Sequence, residues 1–547
     1  MARRRCCGVH LHCCSRPHEK PFSVSASGSF AMMNLHVLPN LGQLANPGPR
    51  IALLITAMGT LISQSSDPRF QPENIHQITA HCAVSADSPH AVSGGIPKTT
   101  ALNCLARPGH VVTCPLDWQQ ARLALLGEPP QSTRQNRAVT NLILRFHFGP
   151  AEAAPGYLLV MPTNVYSRER GYGFDLGSAV QAVHWDDDNP LYSSCCTADR
   201  PFFFSVALPE GNYNVTVRFG NKHIATTNTV KAESRRLMVE NIVTAPSKFV
   251  SRTFTVNIRT PQITGGGEVH LKAREKGPPP VLHWDEKLTL EFNGCNPCIC
   301  TLEIARADDA ITVYLAGDST VTDQPKEPWN SWGQMLPRFF KPGIAIANHA
   351  ESGESLRSFM RERRLDKILS TIKTNDYLFI QFGHNDMKER GEGVGPFTTF
   401  KADLKQFVAA ARLRGAKPVL ITPMHRKTFD ANGIITNSFG DYPDAVRQTA
   451  AEQNVPLIDL NKMSKAMYEA LGPVNINRAF VDGSHHTSYG SYLLAKCVVE
   501  GIKSNRLELV RFILDDLPQF DPAQPDPFET FAVQPSPSES TTAPDGS

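Results

Sequence analysis

The chain has 547 residues and is 41% hydrophobic; Lys+Arg 55 against Asp+Glu 52 leave a net charge of +3. At roughly 150 residues per domain that length implies three or four domain-sized pieces, and the apolar content excludes wholesale disorder. A balance so near neutral argues against nucleic-acid binding, and the lack of an apolar run near ~18 residues argues against membrane insertion.

Residues 1–140 carry the weakest pattern. Residues 1–49 mix Arg, Cys, His and Pro with no helical or strand period. Arg50 then precedes an apolar stretch, 51–62, broken only by Thr56, Gly59 and Thr60, and small residues follow within 50–66. These are the parts of a secretory signal. They lie too far from Met1 to act from there, but would suit a start at Met32 or Met33. With the chemistry found below, they predict a secreted or periplasmic protein. The plainer alternative is a short buried helix, or sequence foreign to the natural product. Residues 118–126 read as a short amphipathic helix.

From 141 to 305 the chain alternates with period two, at 141–148, 202–208, 213–219, 253–258, 268–272 and 287–292. Turn signals such as Pro209-Glu210-Gly211 and Gly265-Gly266-Gly267 separate the runs. Short alternating strands without helices between them predict a β-sandwich. The pattern resembles the galactose-binding-like modules that accompany polysaccharide-acting enzymes. Tyr166, Tyr172, Phe174 and Trp284 would suit stacking on sugar rings, yet aromatic residues in a sandwich more often form its core, the favoured reading here. Cys295, Cys298 and Cys300 offer three zinc ligands, but a closed site wants four and no fourth is evident. A disulfide to Cys195 or Cys196, or free thiols, is preferred.

From 306 to 516 the rhythm changes. Short β-rich runs at 311–316, 344–347, 377–382, 418–422 and 456–460 begin about 33–41 residues apart, with helical patterns such as 400–414 and 444–453 between them. This alternation predicts an α/β fold, a flavodoxin-like doubly wound parallel sheet whose ligand sits beyond the carboxyl ends of the strands. Residues 517–547, rich in Pro, Ser, Asp and Thr, read as a disordered tail.

Polar residues gather just after the strands: Gly317-Asp318-Ser319-Thr320, then Ser352-Gly353-Glu354-Ser355, then Gly383-His384-Asn385-Asp386. A last segment, Asp482-Gly483-Ser484-His485-His486, leads into a helix at 489–502. Singly, each is ordinary turn chemistry. Together they supply the roles of acyl transfer. Ser319 offers a hydroxyl that needs a base to attack. His485 can take the proton while Asp482 holds its other nitrogen. The N–H groups of Ser319 and Gly353 and the Asn385 amide suit a developing oxyanion. Spacing alone does not choose between His485 and His486, both about one helical turn from Asp482.

These blocks resemble the four consensus blocks of the SGNH (GDSL-type) hydrolases. Trp329-Asn330-Ser331-Trp332-Gly333-Gln334, Thr422-Pro423-Met424-His425-Arg426 and Asp482-Gly483-Ser484-His485 resemble the rhamnogalacturonan acetylesterase branch. The resemblance covers about 311–503, and the sandwich before it is similar to the accessory domain of some bacterial members. It implies Ser319 as nucleophile, His485 as base and Asp482 as its orienting acid. It also implies an oxyanion hole of Ser319, Gly353 and Asn385, and no metal or other cofactor. His425, Arg426, His486 and Trp332 are expected to line the substrate pocket, and His384 and Asp386 to orient the oxyanion loop. The implied activity is removal of acetyl groups from a plant cell-wall polysaccharide, rhamnogalacturonan or pectin first. The expected partner is the acetylated poly- or oligosaccharide itself, and the oligomeric state is left open. An acetylxylan or other short-chain esterase on the same scaffold is the nearest alternative; an inactive carbohydrate-binding protein is the more distant one.

Overall fold

A computed structural model describes residues 143–544. The expected signal segment and the helix at 118–126 lie outside the described residues.

But for two short helical turns, Pro190–Tyr192 and Ala273–Lys276, the first half is built from strands. In chain order they are β1 (Ile143–Phe148), β2 (Leu158–Val160), β3 (Tyr172–Asp175), β4 (Gln181–His184), β5 (Ser194–Thr197), β6 (Phe202–Ala207), β7 (Gly211–Asn221), β8 (Thr226–Ala232), β9 (Arg236–Thr244), β10 (Lys248–Ile258), β11 (Lys287–Asn293), β12 (Cys298–Ile299) and β13 (Thr301–Arg306). One five-stranded sheet runs β10-β7-β13-β1-β2 and another β3-β6-β11-β8-β9, with a small β12-β5-β4 sheet beside them. Alternate residues fill the space between the sheets. Phe146, Phe148, Phe174, Phe202 and Phe204 are buried there, with ring pairs in edge-to-face contact, the geometry that ring quadrupoles favour. Phe174 is therefore core, as is the buried Trp284. Cys195, Cys298 and Cys300 are buried free thiols in mutual contact, and Cys196 is likewise free.

Two departures from the period-two reading have a common cause. Residues 268–272 form no strand; they make one bridge, Gln262 to Glu268, and lean on the second domain through His270 N–H to the Glu362 carbonyl (2.9 Å). Conversely, β8 and β9 are full strands whose alternation is hidden by buried charges, Lys231 and Arg236. Those charges face partners from distant sequence. Arg236, 1% exposed, pairs with Asp323 at 3.1 Å, and breaking such a buried pair costs about 3–5 kcal/mol.

The second domain is a parallel sheet of β14 (Ile311–Gly317), β15 (Ile344–Asn348), β16 (Tyr377–Gln381), β17 (Lys417–Ile421) and β18 (Leu457–Ile458), in the order β15-β14-β16-β17-β18. It carries helices on both faces, so both faces of each strand are buried. Val313 and Leu315 pack under helix Ser488–Ser504, while Tyr314 and Ala316 face Phe359, Phe382 and Phe407. The order reverses beside β14, which places the crevice beyond its carboxyl end.

The C-terminal segment does not behave as its composition suggests. Residues 517–544 are not a disordered tail; they lie as a strap across both domains. Phe520 and Val533 enter the core beside helix Ser488–Ser504, and Phe528 and Phe531 meet the Tyr489 ring edge to face. Its prolines need no ladder, because side chains from elsewhere serve the backbone: Lys231 Nζ donates to Gln534 O (2.8 Å) and Asn293 Nδ2 to Pro535 O (2.8 Å). Few apolar residues suffice when each meets a prepared site.

Candidate active site

The strand β14 ends at Gly317 because only glycine fits there. A Cβ would stand 2.5 Å from Val321 Cγ2 and 3.0 Å from Gln381 O. The chain then turns sharply through Asp318 to Ser319. Asp318 is fully buried; its Oδ1 accepts the N–H and hydroxyl of Thr320 (2.9 and 2.7 Å), and its Oδ2 lies 3.3 Å from His384 Nδ1. Burial pushes this carboxyl up, but His384 and Thr320 outweigh burial and hold it below its usual range. The turn is thereby locked, with Ser319 at its crest and 2% exposed.

The other groups arrive from the chain's far end. His485 Nε2 lies 2.9 Å from Ser319 Oγ across 166 residues of sequence. Its Nδ1 lies 2.8 Å from Asp482 Oδ2, and Asp482 Oδ1 accepts the backbone N–H groups of Ser484 and His485, both at 2.7 Å. Partial burial pushes the Asp482 carboxyl up, but the His485 ring and these two N–H groups prevail and hold it far below the carboxylate range. An ionised Asp482 accepts a hydrogen bond from Nδ1–H, which fixes the tautomer and leaves Nε2 as the acceptor for the Ser319 hydroxyl. The edge of Trp329 stands on the His485 ring, centroids 5.7 Å apart.

The oxyanion candidates sit in adjoining loops. Gly353 adopts φ +79°, a left-handed conformation that a side chain would strain. Gln324, which the sequence did not single out, donates its amide to both Ser319 O (2.8 Å) and Ser352 Oγ (3.2 Å), tying the serine turn to the Gly353 loop. Asn385 Nδ2 donates to Glu354 O (3.0 Å), joining the third loop. Beneath it Asp386 accepts N–H groups from Leu356 and Gly383 (2.9 Å each) and is pushed up to about 8 by burial.

Two of the expected pocket residues, Trp332 and His486, point elsewhere. Trp332 is core: it is 1% exposed and its indole donates to Gln381 Oε1 at 2.7 Å. His425 is buried like the Ser319 and His485 side chains (5% exposed against 2% for each), and its backbone N–H donates to Ser464 Oγ (3.0 Å). His486 points away from Ser319, with Nε2 2.7 Å from the Tyr468 hydroxyl and the ring against Phe480. The adjacent side chains diverge because this stretch is an irregular turn before the helix, with His486 bridging to Asn330 and Phe480. Arg426 is half-buried, stacked over Phe439 (4.7 Å) and donating to Ser484 Oγ (3.2 Å) and His384 O (3.3 Å), beside the triad.

Burial holds His486 down to about 3, so it stays neutral where an unfolded chain's histidine takes up a proton near 6.5. Between those values the unfolded state binds more protons. The ring's contribution to stability is thus complete above pH 6.5 and declines as pH falls toward 3. His486→Gln, followed by thermal unfolding, is expected to show a deficit against the parent at pH 7 that shrinks by pH 4. A deficit constant across that range would contradict a neutral buried ring.

Among the described residues, Glu275, His283 and Glu351 bring possible metal-ligand atoms within 4.8 Å of one another. Arg364 already pairs with Glu275 at 2.5 Å and Arg274 with Glu351, so guanidinium groups occupy the place of a cation.

Residues 315–489 match the profile of the GDSL-like lipase/acylhydrolase family, and residues 144–258 match a β-agarase/YXIM esterase-like, galactose-binding domain-like profile. The rhamnogalacturonan acetylesterase RhgT of Bacillus subtilis is 43% identical over 216 residues, 36% of this chain and 92% of RhgT. The probable rhamnogalacturonan acetylesterase YesY of that organism is 41% identical over 213 residues, 37% of this chain and 98% of YesY. Its uncharacterized esterase YxiM is 27% identical over 387 residues, 67% of this chain and 92% of YxiM.

Proposed function

Because the chain belongs to the GDSL-like lipase/acylhydrolase family and is a carboxylic ester hydrolase, we propose that it removes acetyl groups from an acetylated cell-wall polysaccharide, rhamnogalacturonan first, by a serine acyl-enzyme mechanism. The observation that carries this reading is the run of hydrogen bonds from Ser319 through His485 to Asp482. Ser319 Oγ attacks the acetyl carbonyl as His485 Nε2 takes its proton. The oxyanion rests on the N–H groups of Ser319 and Gly353 and the Asn385 amide, each donor worth roughly 10²–10³ in rate. The sugar hydroxyl leaves as His485 returns the proton. A water deprotonated by His485 then attacks the acetyl group and releases acetate. Cell-wall polymer lies outside the cytoplasm, and we propose that the enzyme works there, secreted or periplasmic.

The acidic character of pectic chains suits Arg426. Its guanidinium lies at the strand ends; with Nε on Ser484 Oγ, Nη1 on Met387 Sδ and Ser438 O, and Nη2 on His384 O, it keeps one Nη2 N–H beyond those already used. Acetate release should be measured on acetylated rhamnogalacturonan, acetylated xylan and short-chain lipid esters, with parent and Arg426→Gln. The pectic polymer is expected to give the highest kcat/KM. Arg426→Gln should raise its KM roughly tenfold, the worth of one charged hydrogen bond, with a much smaller change for an aryl acetate. Preference for xylan would redirect the substrate assignment, equal effects on both substrates would remove Arg426 from it, and no acetate from any substrate would overturn the reading.

A further inference from the structure

The loop 320–331 touches the proposed machinery twice, through Gln324 on Ser319 and Ser352 and through Trp329 on His485. It has no ladder of its own, so its shape depends on what grips it. Its two ends are held within the α/β domain, where Asn348 Nδ2 donates to Val321 O (2.6 Å) and Asp323 Oδ1 (2.8 Å) and Asn330 N–H donates to His486 O (3.0 Å); its middle is gripped from outside that domain. Arg235, in the sandwich turn between β8 and β9, is 5% exposed. Its Nη1 donates to Gln324 O (3.0 Å) and Trp329 O (2.9 Å), and its Nη2 pairs with Glu327. Its neighbours join in. Arg236 pairs with Asp323 at 3.1 Å, and Ser234 O accepts from Gln334 Nε2 (2.6 Å), which also donates to Gln324 O (2.8 Å). The strap holds the other side. Ser536 N–H donates to Glu327 Oε1 (2.9 Å), Glu327 N–H to Ser538 O (2.8 Å), and Trp329 Nε1 to Ser540 O (3.3 Å).

The sandwich turn itself is strained. Glu233 (φ 58°) and Arg235 (φ 65°) both occupy the left-handed region without being glycine. Such conformations persist only where surrounding contacts over-determine them, and they gather at functional sites. Nothing within the sandwich needs a guanidinium at this point; the contacts it makes are all to the loop beside the triad.

We propose that Arg235 is a positioning residue for the esterase: by gripping Gln324, Glu327 and Trp329 it sets the spacing between the serine turn and the Gly353 loop and confines His485, so that the sandwich is a working part of the active site. This rests on the reading of Ser319 and His485 as nucleophile and base. Acyl transfer is sensitive to such placement, since a misplacement of about 1 Å can cost ~10²-fold in rate.

Arg235→Lys, Arg235→Ala and a truncation after Ser536 test this in the full chain, with Phe146→Leu as a stability control in the sandwich core far from the loop. Lysine keeps the charge toward Glu327 but cannot serve both carbonyls. Arg235→Ala is expected to lower kcat on an aryl acetate by about 10²-fold and Arg235→Lys by about tenfold, with KM nearly unchanged. The rate of inactivation by a serine-directed phosphonate should fall in parallel. Phe146→Leu, at comparable loss of Tm, should leave both rates near the parent's. Amide exchange across 320–331 should quicken in the Arg235 variants and the truncation, and not in the control. If Arg235→Ala does not fold, Arg235→Lys and the truncation carry the same comparison. Arg235 variants no slower than the control would overturn the proposal. A parent that neither turns over acetyl esters nor reacts with the phosphonate would instead sink the esterase reading. The exchange arm then decides the grip alone: quickened exchange upholds it, and unchanged exchange removes it.

Discussion

Ser319→Ala is expected to lower kcat on an acetyl ester by at least about 10⁴-fold and to abolish the pre-steady-state burst, with the fold intact. The size follows from what alanine removes. Without Oγ there is no acyl-enzyme, and water must attack unaided by covalent catalysis. What survives is the donor set on neighbouring loops, which still stabilises charge on a bound carbonyl and accounts for residual rate above solution. Structurally the change is slight: Asp318, Gln324 and Gly317 hold the turn through backbone and buried side-chain contacts that do not involve Oγ. Stopped-flow release from an aryl acetate, with mass spectrometry for a phosphonate adduct, measures the effect. A variant that keeps its burst, or loses less than tenfold, would assign the nucleophile elsewhere.

Asp482→Asn is expected to cost about 10⁴-fold at neutral pH, comparable to loss of the nucleophile. In the parent, Asp482 accepts hydrogen bonds from the Nδ1–H of His485 and two backbone N–H groups, contacts that keep it ionised at any working pH. Asparagine turns an N–H toward Nδ1 and favours the tautomer with its proton on Nε2, which cannot accept from Ser319. It also removes the charge that stabilises the imidazolium. A second readout is independent of activity. Because the folded carboxyl is depressed below its unfolded value near 4, its contribution to stability is present above about pH 4 and is lost as pH falls below it. Thermal unfolding of Asp482→Asn should therefore vary less than the parent's between pH 5 and pH 2. An unchanged acid profile, or near-parental kcat, would remove Asp482 from its role.

Much of this arrangement was legible in the linear chain. The strand–helix alternation after residue 311 predicts a doubly wound sheet, and that topology alone sends the ends of β14, β15 and β16 to one crevice. The polar blocks at Ser319, Gly353, Asn385 and His485 could be found because strand-end loops in such a sheet are free to carry chemistry. Where the reading failed, burial was decided by contacts distant in sequence. Trp332 looks like a pocket aromatic in its motif, yet the motif forms a tight helical turn that lays the indole under the sheet against Gln381. His485 and His486 are equivalent by spacing from Asp482, and only the irregular turn before helix Ser488–Ser504 sends one ring to Ser319 and the other to Tyr468.

Local pattern thus determined the strand–helix alternation of the α/β domain and the residue types offered to its crevice, since period, turn chemistry and propensity act over a few residues. Tertiary structure decided which histidine serves, that the proline-rich terminus docks as a strap, and that a sandwich arginine grips the loop beside the serine. Those outcomes depend on desolvating charges such as Arg235, Arg236 and Lys231 against partners about 90 to 300 residues away. The cost of burying each is offset only by a partner placed by the whole fold, and no local window of sequence contains both halves of such a pair.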